Sequence, residues 1–123
     1  MTASILDSLS PADAQRVLAG GTSLTLPEGW SPIAERTPAD KAYLITEGEV
    51  SVRRSGHEVA TLGPGSVVGE AAILNRSLRS ATVVALTPLR VVHFTREQLS
   101  RVADDVPAFG EALLRASTER LGQ

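Results

Sequence analysis

The most informative absences are those of cysteine, aromatic residues and long apolar runs. With no cysteine in 123 residues, disulfides, thiolate metal sites and thiol catalysis are excluded. Aromatic residues make up only 3% of the chain, so aliphatic side chains must fill the core. No apolar run approaches the roughly 18–20 residues of a membrane helix, and no signal peptide opens the chain. We therefore expect a cytoplasmic protein that makes no contact with a membrane.

A basic charge balance is also missing. The formal net charge is −2, so no positive field attracts a nucleic acid, and we expect no direct DNA binding. The hydrophobic fraction of 42% is that of an ordinary folded protein. The length predicts one domain over residues 1–123. We divide it into an N-terminal helical segment (1–21), a β-barrel (22–94) and two C-terminal helices (95–123).

Capping patterns place the helices. Ser10 followed by Pro11 is a helix start signal within residues 4–19, and Gly20-Gly21 ends that helix. Thr95 with Gln98 forms a capping box that opens a second helix. Pro107 then starts a third helix that continues to about Leu121. Between these helices the chain is expected to be β.

The middle section, from Thr22 to Thr95, alternates short β-branched runs with turn residues. The turns are expected at Pro27-Glu28-Gly29, Gly48, Ser55-Gly56, Gly63-Pro64-Gly65 and Thr87-Pro88. Such short, evenly spaced strands are typical of a β-sandwich or a barrel. The predicted fold class is therefore mainly β with flanking helices.

The segment from Gly69 to Thr82 combines features that suit a sugar phosphate. Gly69 lets backbone approach a ligand closely, and the carboxylate of Glu70 can accept a hydrogen bond from a sugar hydroxyl. A short helix is expected from Glu70 to Leu74. The free backbone N–H groups at its start, near Ala71 and Ala72, form an anion site.

Arg79 completes this segment. Its guanidinium presents a planar set of donors that fits phosphate oxygens, and Ser80 adds a hydroxyl beside it. The strand-like run that follows Ser80 is expected to hold Arg79 at its entrance. The alternative is an exposed arginine at a strand edge with no ligand. The combined set favours a binding site for a cyclic nucleotide.

The same residues resemble the phosphate-binding cassette of the cyclic nucleotide-binding domain family. The matching stretches are Val68-Gly69-Glu70-Ala71-Ala72-Ile73 and Arg79-Ser80-Ala81-Thr82-Val83. The family includes catabolite-activator-type regulators, regulatory subunits of cyclic-AMP-dependent kinase, and cyclic nucleotide-gated channels. The resemblance extends over nearly the whole chain. It implies a double-stranded β-helix, a jelly-roll-like barrel, with an N-terminal helix and C-terminal hinge and lid helices.

The resemblance also implies a role for each residue of the cassette. Glu70 takes the ribose 2′-hydroxyl, Arg79 the cyclic phosphate and Ser80 a phosphate oxygen. The expected ligand-binding set is Gly69, Glu70, Ala71, Ala72, Arg79, Ser80, Ala81 and Thr82. The expected ligand is cAMP, with cGMP as the alternative, and no cofactor, metal or catalytic residue is expected.

The last helix has two interpretations. Phe109, Leu113, Ala116 and Arg120 share one face at three- and four-residue steps, which is typical of a helix packed on the barrel. In the family, this helix instead folds over the base as a lid. Leu113, Leu114 and Leu121 are then possible contacts to the purine, and Arg120 reaches Glu70 or the ribose. For Phe109 we favour the packing interpretation.

Two function classes remain open. In the first, the chain is a regulatory sensor that binds a cyclic mononucleotide and moves its C-terminal helices, which act on a partner protein or a fused effector. In the second, it is a ligand-free interaction module of the same fold. Neither class is an enzyme. The chain is either a fragment or a single-domain member of the family, and it is either a monomer or a weak homodimer.

Overall fold

The computed structural model describes residues 9–38, 40–69, 78–79 and 81–121, with the backbone alone given for 116–121. Within these ranges the chain forms three helices and seven strands. In chain order they are α1 (Pro11–Ala19), β1 (Thr22–Leu26), β2 (Lys41–Glu47), β3 (Val50–Arg54), β4 (His57–Leu62), β5 (Val67–Val68), β6 (Thr82–Ala85), β7 (Leu89–Thr95), α2 (Arg96–Asp105) and α3 (Pro107–Leu121).

The strands form two antiparallel sheets. The first sheet has the order β1-β7-β2-β5 and the second has the order β4-β3-β6. The mainly β fold with flanking helices is confirmed. The described strands pack as a jelly-roll-like sandwich of two facing sheets, rather than as a ring closed by hydrogen bonds.

Two layers of buried side chains lie on opposite faces of the first sheet. On β2, Ala42 and Leu44 face the helices, whereas Tyr43 and Ile45 face the second sheet. This alternation follows from the two-residue period of a strand. Because both faces are covered, Leu44 and Ile45 are both fully buried although they are neighbours in sequence. The inter-sheet layer is the one that reaches the predicted binding segment.

The helices begin and end where the capping residues predict. The Ser10 side chain accepts a hydrogen bond from the N–H of Asp13, and α1 ends at Gly20. Thr95 and Gln98 form the capping box of α2. Helix α1 begins at Pro11, so the helix expected over residues 4–19 is wrong at Leu9 and Ser10, because Ser10 caps the helix from outside. Residues 4–8 lie outside the described ranges. None of the helices in these ranges is both long and apolar enough to cross a bilayer.

Helix α3 packs on the first sheet through Phe109. The Phe109 side chain is fully buried, and its ring centroid lies 6.2 Å from that of Phe94 on β7 in a tilted arrangement. Val17 of α1 and Val102 of α2 belong to the same helix-side layer. The packing interpretation of Phe109 is therefore confirmed.

Candidate functional site

The described part of the predicted binding segment consists of Gly69, Leu78, Arg79, Ala81 and Thr82. Four of the expected ligand contacts lie outside the described residues, namely Glu70, Ala71, Ala72 and Ser80. The helical turn expected from Glu70 to Leu74 also lies outside them. The geometry of the site therefore rests on the two ends of the segment and on what they contact.

Gly69 stands directly after β5, at the point where the chain leaves the first sheet. Its φ is +85°, a conformation that side chains other than hydrogen rarely adopt. A Cβ at this position would lie 2.5 Å from Nη1 of Arg79 and 2.8 Å from Cδ1 of Ile33. The absence of a side chain at Gly69 thus makes room for the guanidinium of Arg79. The sequence did not indicate this close packing of Gly69 against Arg79.

Arg79 is buried, with 5% of its surface exposed. Its Nη1 donates to the carbonyl of Gly69 at 2.6 Å, and its Nη2 donates to the carbonyl of Lys41 at 2.5 Å. The guanidinium therefore joins the first residue of β2 to the residue that follows β5. The interpretation of Arg79 as a solvated edge residue is wrong, because the side chain is turned into the fold.

The charge of this arginine is retained in a poorly solvated position. A guanidinium keeps its proton in proteins, so burial places a permanent positive charge near the sandwich interior. The carbonyl dipoles of Gly69 and Lys41 offset part of that charge. An Asp40 carboxylate oxygen lies 4.0 Å from Nη2, with its own side chain 79% exposed.

The backbone of Arg79 is held by the loop between β1 and β2. Its N–H donates to the carbonyl of Thr37 and its carbonyl accepts from the N–H of Arg36, both at 2.8 Å. An isolated bridge between Pro38 and Leu78 continues this pairing. The side chain and the backbone of Arg79 are therefore both held by contacts within the chain, without a ligand.

Thr82 and Ala81 follow as the chain enters β6. The Thr82 hydroxyl accepts a hydrogen bond from the N–H of Glu35 at 3.0 Å, so it also contacts the β1–β2 loop. Ala81 is half-buried. Both residues are close in sequence to Arg79, and their predicted contact with a ligand stays a prediction.

Two aromatic side chains lie next to this site on the first sheet. Tyr43 and His93 are direct partners on β2 and β7, and their ring centroids are 6.3 Å apart. Burial raises the pKa of Tyr43, the nearby Asp40 raises it further, and the charge of Arg79 opposes the shift. The Tyr43 phenol therefore lies within the electrostatic reach of the arginine.

His93 lies on the same sheet face as Tyr43. Burial lowers the pKa of His93, Lys41 lowers it further, and Asp40 opposes the shift. Its Nδ1 is buried and has no hydrogen-bond partner among the residues that the structure describes. The neutral imidazole is thus the favoured form near neutral pH. The same part of the chain contains no cluster of three or more potential metal ligands.

The predicted lid residues are placed only in part. Leu113 is buried in the helix-side layer together with Phe94 and Phe109. Gly69 instead lies next to Ile33, which belongs to the inter-sheet layer. The side chains of Arg120 and Leu121 lie outside the described residues. The lid contacts of all three residues stay predictions.

Sequence patterns missed the acceptors that hold Arg79. The carbonyls of Lys41 and Gly69 are backbone groups, and no side-chain pattern marks them. Asp40 carries a detectable signal, since it is an acid at the entrance of a strand, but that position is common in loops. The sequence did not assign the β1–β2 loop to the site because its charged residues do not belong to the cassette motif.

Comparison with known proteins identifies the family of this chain. A family model for the cyclic nucleotide-binding domain matches residues 24–105. The chain is 32% identical over 100 residues to a CRP-like cAMP-activated global transcriptional regulator of Mycobacterium tuberculosis, covering 77% of this chain and 45% of that protein. It is 34% identical over 104 residues to a cAMP-dependent protein kinase regulatory subunit of Yarrowia lipolytica, covering 83% and 28%. The chain thus spans less than half the length of either relative.

A solved structure supports the fold. The Catabolite Activator Protein of Thermus thermophilus superposes with a TM-score of 0.85 at 24% identity, covering 97% of this chain and 58% of that one. The family model covers more than half of the chain, from β1 to the end of α2. This chain belongs to the cyclic nucleotide-binding domain family.

Proposed function

We propose that this domain binds a cyclic mononucleotide, cAMP in preference to cGMP, and that binding moves its C-terminal helices. The observation that carries the proposal is the buried Arg79, whose guanidinium is oriented by the carbonyls of Gly69 and Lys41. A cyclic phosphate is a compact anion with two unesterified oxygens, and it fits the planar donor set of an arginine.

Ligand binding would replace the neutral backbone carbonyls that accept from Arg79 with a charged phosphate, which is a stronger acceptor. Hydrogen bonds from a guanidinium to an anion are roughly twice as strong as bonds between neutral groups. The phosphate would compete with the neutral carbonyls for the donors of Arg79. Glu70 would bind the ribose 2′-hydroxyl, while Ser80 and the N–H groups of Ala71 and Ala72 would complete the phosphate contacts.

Two contacts would connect the phosphate site at Arg79 to the start of α2. Arg79 donates to the carbonyl of Lys41, and Lys41 pairs with Thr95 across β2 and β7. Thr95 is also the N-cap of α2. A ligand that draws the guanidinium away from Lys41 would therefore disturb the strand pair that supports the start of α2. Binding then shifts the balance between two helix positions by the ligand's differential affinity for them.

The relatives support a regulatory role rather than an enzymatic one. One is named as a cAMP-activated transcriptional regulator and the other as a cAMP-dependent kinase regulatory subunit. By analogy, the output of this domain would be a contact with a partner protein or a fused effector. With a net charge of −2, we do not propose that these residues bind DNA themselves.

Substitution of Arg79 tests the phosphate site. Arg79→Ala removes a buried, charge-assisted contact and should weaken cAMP binding by about 2–5 kcal/mol, roughly 30-fold or more. Arg79→Lys keeps the charge but loses the paired donors, so it should also bind more weakly. Isothermal titration with cAMP and cGMP gives both affinities.

Arg90→Ala is the matched control. Arg90 is an exposed arginine on β7 that forms a surface ion pair with Glu47 at 3.8 Å. Its removal should leave the affinity unchanged. Parent-like binding by both folded Arg79 variants would contradict the phosphate site. A parent chain that binds neither nucleotide would instead favour a ligand-free interaction module.

A further inference from the structure

The loop between β1 and β2 contains a segment, residues 31–38, that runs along the edge of the second sheet. We call this segment the strap. Its Ile33 carbonyl accepts from the N–H of Val83 at 2.9 Å, and its Glu35 N–H donates to the Thr82 hydroxyl at 3.0 Å. Further along, Arg36 and Thr37 make the two hydrogen bonds to the backbone of Arg79. The strap is therefore the edge partner of the chain from Arg79 to Val83.

Glu35 ties the middle of the strap to a different part of the fold. Its Oε1 accepts a hydrogen bond from the N–H of Ser55 at 3.0 Å. Ser55 and Gly56 form the two-residue turn between β3 and β4, with φ of +53° and +81°. The Glu35 side chain is only 21% exposed, so this contact is partly shielded from water. A carboxylate bonded to a backbone N–H is among the stronger hydrogen bonds in proteins.

The residue that follows Glu35, Arg36, depends on the contact between Glu35 and Ser55. Arg36 has a φ of +69°, which is unfavourable for a residue with a side chain and persists only where its surroundings hold it. Arg36 is held on one side by Glu35, which bonds Ser55, and on the other by its own N–H, which donates to Arg79. Loss of the Glu35 contact would let Arg36 relax, and its N–H would then move away from the Arg79 carbonyl.

We propose that Glu35 is a positioning residue for Arg79. It fixes the strap against the β3–β4 turn, and the strap fixes the backbone of the arginine that would meet the phosphate. Glu35 acts through these hydrogen bonds without touching the ligand. It would thereby set the affinity of the cyclic nucleotide site, and to that extent the inference rests on the proposed function.

Two substitutions separate the reach of the side chain from its charge. Glu35→Gln keeps an oxygen at the same distance and can still accept from Ser55, whereas Glu35→Asp keeps the charge but is one methylene shorter. We expect Glu35→Asp to behave like Glu35→Ala. Glu35→Gln should lie between Glu35→Ala and the parent, because it keeps the hydrogen bond from Ser55 but loses the charge that strengthens it. Glu28→Ala, an exposed acid in the turn before the strap, is the control.

The first measurement needs no ligand. Amide hydrogen exchange of Arg36 and Arg79, followed by NMR on the full chain, reports the two backbone bonds to the strap directly. Glu35→Ala and Glu35→Asp should accelerate both amides about tenfold, as loss of one charged hydrogen bond implies. Glu28→Ala should exchange like the parent, and Glu35→Gln should exchange more slowly than Glu35→Ala. Glu35→Asp serves if the alanine variant does not fold.

The second measurement is the affinity for cAMP. Glu35→Ala or Glu35→Asp should weaken binding about tenfold when Arg79 is present, and by much less when Arg79 has been replaced by lysine. A purely structural role for Glu35 would give the same loss in both backgrounds. Parent-like exchange at Arg79 together with parent-like affinity in both variants would overturn the inference.

The two proposals fail in different ways. If the parent chain binds no cyclic nucleotide, the proposed function is wrong, and the exchange measurement alone decides whether Glu35 positions Arg79. If the parent binds and Arg79→Lys weakens binding, a parent-like Glu35→Asp overturns only the role of Glu35.

Discussion

At the scale of single residues, buried polar groups set the character of this domain. Arg79 contributes a fixed positive charge. The Asp40 carboxylate and the carbonyl oxygens of Gly69 and Lys41 lie against it. Tyr43 and His93 stand beside them on the first sheet. Burial favours the neutral form of both rings, so neither ring adds a charge of its own beside the guanidinium.

His93 gives the fold a dependence on pH. The folded state lowers the pKa of His93 below 6.5, the value of an unperturbed histidine, mainly through burial. Below about pH 6.5 the unfolded chain therefore binds more protons at this position than the folded chain. The free energy of unfolding should fall as the pH drops through this range, until the folded histidine is itself protonated.

Urea unfolding of the parent, His93→Gln and His57→Gln checks this effect. The decrease in the free energy of unfolding between about pH 7.5 and about pH 5.5 should be smaller in His93→Gln than in the parent. His57 is exposed at the start of β4, so His57→Gln should keep the parental slope. Equal slopes in the parent and His93→Gln would show that His93 does not contribute.

At the scale of elements, the end of β5 and the strap act together on the binding segment. Gly69 leaves β5 with a positive φ, and the space beside it is filled by Arg79 and Ile33. The strap then holds the other end of the segment at Arg36 and Thr37. Because both ends of the segment are held, the donors of Arg79 are already oriented in the structure.

Substitution at Gly69 tests this tight passage. A Cβ there meets the guanidinium of Arg79 at 2.5 Å, and φ is +85°, so Gly69→Ala should lower the free energy of unfolding by about 1–3 kcal/mol. It should also weaken cAMP binding because Arg79 has to move. Gly63→Ala is the control, since its Cβ meets nothing within 4 Å and its φ is not positive. Equal stabilities of the two variants would contradict the geometry described for Gly69.

Local patterns predicted the elements well because their causes are local. Ser10 and the Thr95–Gln98 box satisfy backbone N–H groups within a few residues, so the sequence shows them directly. The turn at Ser55-Gly56 is equally local, since its left-handed backbone favours glycine. The strap was not predicted because Arg36 adopts a positive φ without being glycine, and tertiary hydrogen bonds hold it there.

At the scale of the whole molecule, the first sheet lies between the C-terminal helices and the predicted binding site. Its helix-side layer, with Phe94 and Phe109, fixes the C-terminal helices. Its opposite face, with Tyr43 and His93, borders the predicted binding site. Strand β2 contributes to both faces, and Lys41 at its start accepts a hydrogen bond from Arg79 and pairs with Thr95, the N-cap of α2.

The sequence singled out Arg79 as a binding residue from the order of Gly69, an acid, small residues and an arginine, and that role stays a prediction. The sequence did not indicate the buried environment in which the structure places this side chain. The acceptors at Gly69 and Lys41 come from the main chain of two strands that meet only in the folded sheet. Such contacts depend on register, which a single sequence indicates only weakly.

The most direct test of cyclic nucleotide binding is thermal unfolding of the full chain with cAMP, with cGMP and with 5′-AMP as the acyclic control. A ligand at about 100 times its Kd stabilises the folded state by roughly 2.7 kcal/mol. At about 4 °C per kcal/mol for a domain of this size, Tm should rise by roughly 10 °C. We predict this rise with cAMP, a smaller one with cGMP and none with 5′-AMP. An unchanged Tm with both cyclic nucleotides at millimolar concentration would contradict the proposed function.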